Sequence, residues 1–78
     1  MKFHQDETFR NIDFSEEKEI AEFDNCSFYN CKFNNKNLFG FNFTECEFFT
    51  CDLSSANLKN CSLNNCHFEE CKLLGLRF

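Results

Sequence analysis

The sequence predicts an all-β solenoid, a square coil that turns a corner every five residues, and three observations carry that prediction. Every fifth residue from Phe23 to Phe78 is Phe or Leu: Phe23, Phe28, Phe33, Leu38, Phe43, Phe48, Leu53, Leu58, Leu63, Phe68, Leu73 and Phe78. The residue two places before each of these centres is Ala, Cys or Leu in ten of twelve cases, and all seven cysteines fall there. A period of 20 overlies the period of five, so that Cys26–Phe33 returns as Cys46–Leu53 and as Cys66–Leu73. A helix face recurs near 3.6 residues and a strand face at 2, so a beat of five would wander around either. Four sides of five residues bring the chain back above itself, and like residues then stack.

In chain order, residues 1–6 read as a tail and residues 7–20 as an irregular N-terminal cap or partial coil. Phe9, Ile12 and Phe14 keep part of an earlier coil, after which Ser15–Glu22 breaks the beat. Ser15 with Lys18 makes no capping box, and Ile20 is expected to cover the interior of the first full coil. A solenoid end needs such a cap. The solenoid proper spans 21–78. Within each side the centre and the residue two before it share one face of an extended segment and point inward. The second residue after each centre reads Asn25, Asn30, Asn35, Gly40, Glu45, Thr50, Ser55, Asn60, Asn65, Glu70 and Gly75. Most of these are turn formers and mark the corners. The predicted columns are Phe23/Phe43/Leu63, Phe28/Phe48/Phe68, Phe33/Leu53/Leu73 and Leu38/Leu58/Phe78, with about 4.8 Å between coils.

Two residues depart from the inner pattern. Lys36 occupies an inward slot; since Phe14 and Phe33 are 19 apart, Glu17 should lie beside it, and an ion pair with Glu16 or Glu17 is expected. Phe41 puts a bulky ring in the small row, where local bulging is expected, with Gly40 giving the backbone room. The chain stops on Phe78, itself an inward centre. An open coil exposes an apolar disc and an unpaired ladder edge. Either the native chain continues as a longer solenoid, the preferred reading, or two copies stack through the C-terminal end as a homodimer.

These residues resemble the pentapeptide-repeat family, whose motif is a small residue, Asp or Asn, Leu or Phe, and two variable positions. The match runs through 21–78 without a gap. It implies a right-handed quadrilateral β-helix, of about three coils here. The phrase Thr8–Ser15, the paired Asn-Cys-Ser-Phe and Asn-Cys-Lys-Phe units and Cys71–Gly75 resemble the N-terminal part of bacterial quinolone-resistance-type members. Some members imitate the charge and width of duplex DNA and occupy the DNA groove of type II topoisomerases. The resemblance therefore implies a possible DNA-mimic ligand of DNA gyrase or topoisomerase.

Seven cysteines in 78 residues invite a disulfide or zinc reading. Their odd count and lattice spacings of 5, 10 and 15 argue instead for buried thiols packed as small hydrophobes. No metal and no cofactor is expected. The opening Met1–Asp6 has no apolar run, so a reducing cytoplasm is the expected compartment.

Net charge is −5, yet residues 6–24 alone carry eight acids against two bases, a balance of −6. Residues 25–78 hold five of each. Without a basic stripe, nucleic acid is excluded as a partner, and no membrane partner is expected. The concentration of acid in the cap counts against DNA mimicry by the coils. Catalysis has little to stand on: His67 points outward between inward Cys66 and Phe68, so no Cys–His pair shares a face. The chain reads as no enzyme but as a module for a protein partner, a type II topoisomerase being the named class, with a purely structural segment as the alternative. The candidate contact residues are the exposed Tyr29, Phe39 and Phe49 and the acidic Glu16, Glu17 and Glu19. Tyr29 and Phe49, 20 apart, should form one outer column.

Overall fold

The structure, a computed structural model, describes residues 1–78. Eight short strands follow one another: β1 (Lys2–Gln5), β2 (Thr8–Arg10), β3 (Ala21–Asp24), β4 (Ser27–Tyr29), β5 (Asn42–Thr44), β6 (Glu47–Phe49), β7 (Ser62–Asn64) and β8 (His67–Glu69). They form two parallel sheets, β1-β3-β5-β7 and β2-β4-β6-β8, which are two sides of a square. The other two sides are joined by single bridges, Asp13–Lys32–Asp52–Lys72 on the third and Asn37–Asn57–Arg77 on the fourth. The result is the four-sided β-solenoid that the repeat requires.

The interior is tiled by the two inward rows. Phe28, Phe33, Phe43, Phe48 and Leu38 are fully buried, as are Cys26, Cys31, Cys46 and Cys51. Phe28, Phe48 and Phe68 stack face to face with centroids 4.7 Å apart, while neighbouring columns meet edge to face, as Phe23 and Phe28 do at 5.1 Å. Offset stacking along the axis and edge contacts across it satisfy the aromatic quadrupoles in both directions. No disulfide forms. Each buried thiol instead donates to carbonyl oxygens, Cys46 to Phe23 and Thr44 and Cys51 to Phe28 and Phe49, all at 3.4 Å.

All eleven corner residues named from the sequence have positive φ, from 53° at Asn30 and Glu70 to 83° at Gly40. Left-handed backbone turns the chain through the corner. It is easy for Gly and Asn and costly for a β-branched residue, which makes Thr50, with φ 54°, the strained corner. On the third and fourth sides the corners are closed by main-chain hydrogen bonds such as Lys36 N–H to Phe33 C=O and Phe41 N–H to Leu38 C=O.

The N-terminal expectation needs correction. Residues 2–5 are not a tail: β1 pairs with β3, and β2 with β4. Partners here are 19 apart (Lys2 with Ala21, Thr8 with Ser27, Asp13 with Lys32), whereas every later pair is 20 apart. His4 takes the inward centre and stacks on Phe23 at 4.9 Å, and Phe9 and Phe14 continue that row above Phe28 and Phe33. Residues 1–15 thus make three regular sides of a coil.

The fourth side of that coil is the exception. Glu17 N–H bonds to Phe14 C=O, but Glu16 stays out of the left-handed region, so the chain leaves this corner in another direction. No bridge joins residues 16–20 to the coil below. Ile20 does not cover the interior; it lies outside against the Gly40 corner, where a Cβ on Gly40 would meet its Cδ1 at 3.2 Å. Phe41, the bulky member of the small row, points inward. Its ring is buried, 6.2 Å from Phe43, in the volume that the short side leaves open.

Candidate interaction surface

Two surface features gather the residues singled out in the sequence. The first is an outer column on the second side, built by β2, β4, β6 and β8. Outward positions alternate with inward ones along each strand, so in-register stacking sets Tyr29 on Phe49 with centroids 4.9 Å apart. Above them the Arg10 guanidinium lies 4.4 Å from the Tyr29 ring; below Phe49 the register places Glu69, and the His67 ring sits to one side, tilted, 6.1 Å from Phe49. The in-register column therefore runs Arg10–Tyr29–Phe49–Glu69, a cation at one end and a carboxylate at the other, with His67 flanking it beside Phe49. Cys66, on the inner row, does not share its face with His67.

The second feature is a groove of about 370 Å³ on the fourth side, between the short side of the first coil and the coil below. Phe39 stands on its lower wall, 53% exposed, and Ile20 on its upper wall. Glu17 and Lys18 line it as well. Of the acids, Glu17 faces Lys2 at 3.9 Å and Glu19 faces the amino group of Met1 at 3.5 Å. Phe39, Glu17 and Glu19 are thus brought to one end of the molecule, while Tyr29 and Phe49 lie on a different side.

Lys36 sits at the floor of this groove, only 6% exposed. The expected ion pair is absent. Its ammonium donates to the main-chain carbonyl of Glu17 and lies 5.2 Å from the Phe41 ring. The direction change at Glu16 accounts for the swap: it turns the Glu17 carbonyl, not its carboxylate, toward Lys36. Burial lowers the Lys36 pKa from its ordinary value, opposed by the charges of Glu17 and Glu16. The groove itself, with Ile20 and Lys36 as members, was missed from the sequence. The 19-residue spacing between Phe14 and Phe33 was the signal that could have located it.

No three His, Cys, Asp or Glu side chains gather into a metal-holding cluster. Among the thiols, burial pushes Cys61 up to about 11. Cys46 and Cys51 are raised by hydrogen bonding to Cys66 and Cys31 and then by burial, and the same pairings lower Cys66 and Cys31 to about 7.

Comparison with known proteins fits this geometry. The profile of the family described as Pentapeptide repeats (8 copies) matches residues 51–78. The fold of the chain is that of the pentapeptide-repeat solenoids. Among solved structures, full-length QnrB1, a plasmid-mediated fluoroquinolone resistance protein, aligns with a TM-score of 0.76 at 19% identity. That alignment covers 97% of this chain and 48% of QnrB1, so the chain spans about half the length of that structure. A trypsin-treated QnrB1 variant aligns with a TM-score of 0.61 at 22% identity, over 88% of this chain and 34% of that one. At such identities the likeness is one of fold. No curated protein matches the chain.

Proposed function

We propose that this solenoid is a non-enzymatic protein-interaction module working in the cytoplasm. The observation that carries the reading is the distribution of chemistry: the thiols and most aromatic rings face inward, and the outside offers a frame with two presented features, the Tyr29–Phe49 column and the groove beside Phe39. The likeness to QnrB1 supports a protein partner in kind. A type II topoisomerase is the partner to test first. Gyrase supercoiling, assayed with and without a fluoroquinolone, should change on addition of the protein. No effect at high molar excess of the full-length chain would dismiss that partner. Mimicry of DNA draws little support from residues 25–78, whose five acids and five bases balance.

The last coil supports a second proposal about assembly. Its inward residues Leu63, Leu73 and Phe78 are exposed, Phe78 at 87%. A second copy stacked on the same end would bury them, as would a further coil. Light scattering distinguishes the two: a particle of twice 9.3 kDa indicates the stacked pair.

A further inference from the structure

We propose that the open fourth side between the first two coils is a docking slot for one extended peptide segment of a partner, carrying a carboxylate beside an apolar residue. The proposal rests on the interaction-module reading and specifies the partner's chemistry. It begins with the backbone. In the third coil, Asn57 donates its N–H to the carbonyl of Lys36 and accepts at its C=O from the N–H of Leu38. Asn37 occupies the same position one coil earlier, and neither its N–H nor its C=O makes a hydrogen bond within the chain. Both groups point toward the side that failed to pair. An exposed, unpaired donor and acceptor in strand geometry is a template for an added strand.

The walls and charges of the slot select the occupant. Ile20 above and Phe39 below are exposed apolar side chains flanking the groove, placed to hold an aliphatic side chain between them. The cations are unmatched. The Lys36 ammonium is buried with a single acceptor, the Glu17 carbonyl, although it has three protons to donate. Neither it nor Lys18 forms an ion pair, whereas Glu17 and Glu19 are already matched by Lys2 and the Met1 amino group. Glu17 and, more weakly, Glu16 favour the Lys36 charge from a distance without closing a pair. A buried cation with free donors binds a carboxylate strongly, because the partner supplies both hydrogen bonds and neutralisation.

The probe is an N-acetylated, C-amidated pentapeptide alternating leucine with glutamate, set against its leucine–lysine counterpart. The readout is the amide proton of Asn37 by NMR. The acidic peptide should move it downfield to saturation as the main-chain bond forms, and the basic peptide should bind at least about tenfold more weakly. Lys36→Met should weaken the acidic peptide by about tenfold. Phe39→Ser, at an exposed position that leaves the fold intact, should weaken it severalfold. Inserting one alanine between Lys18 and Glu19 restores the 20-residue spacing. Asn37 should then pair internally and the peptide should no longer bind. An unmoved Asn37 amide, or equal binding of the basic peptide, would overturn the proposal. Binding of gyrase alongside a silent Asn37 amide would remove the slot and leave the module reading standing.

Discussion

Asn37 and Asn57 are the same residue at the same point of successive coils, yet Asn57 has both main-chain groups taken by the coil above and Asn37 has neither. Residue type does not separate them, nor do the side chains that follow, Leu38 and Leu58, both buried. What differs is length: 20 residues link Asn37 to Asn57, while the coil above Asn37 is 19 residues long. Pairing in this fold is set by the count between corners. A side that is one residue short cannot meet its neighbour however suitable its sequence.

The largest effect that would sharpen this contrast is expected at the inward centres of the two fourth sides. Leu58→Ala should cost about 2–5 kcal/mol in chemical denaturation, since it opens a cavity in a paired and packed side. Glu19→Ala, at the matching place in the short side, should shift stability by no more than about 0.5 kcal/mol. Equal losses would mean that the short side is packed after all.

Lys36 comes next. It is a buried charge beneath the unpaired side, and Lys36→Met should stabilise the free protein by about 1 kcal/mol at neutral pH. Because burial lowers its pKa, the folded state gives up this proton more readily than the unfolded state. Unfolding then takes up a proton between the folded pKa and the ordinary 10.5, and stability rises with pH across that window. The advantage of the methionine variant over the parent should therefore shrink as pH approaches 10.5. A constant gap would show that Lys36 does not titrate differently on folding.

Corners give a smaller test. Thr50 is left-handed and β-branched, so Thr50→Asn should raise stability by about 1 kcal/mol. Glu16→Asn should do nothing comparable, because Glu16 turns its corner without left-handed backbone. The outer column of the fully paired second side should matter least. Replacing Tyr29 and Phe49 together by Ser should lower stability by about 0.5–1 kcal/mol. If that double variant also loses a gyrase interaction while remaining folded, the column is a contact patch and not only a stacking device.

The coils from Ala21 onward were legible because one strong signal, an apolar residue every fifth position, fixes both facing and register. Corner positions were legible for a related reason: Asn and Gly cluster where left-handed backbone is needed, and even Glu45 and Glu70 follow from the count. Strand β1 was hidden, and the coil holding β2 read only as partial, because the short fourth side moves their beat by one. Counted back from Phe23 the series gives Lys18, Asp13, Thr8 and Phe3, whereas the true centres are Phe14, Phe9 and His4. Only two of those three are Phe or Leu, too few to announce a new phase. The partner of Lys36 was hidden differently. The 19-residue spacing located Glu17, but which of its groups would face the lysine depended on a turn conformation that residue types do not specify.

The shortened side also bears on how such a tower changes over generations. Losing a residue inside an α-helix rotates everything beyond it by about 100° and scrambles the buried face. Here the corners absorb the loss, and Phe9 and Phe14 still stack on Phe28 and Phe33. A single-codon deletion can therefore open a recess in one wall without toppling the storeys above or below, giving this architecture a ready route to new binding specificities.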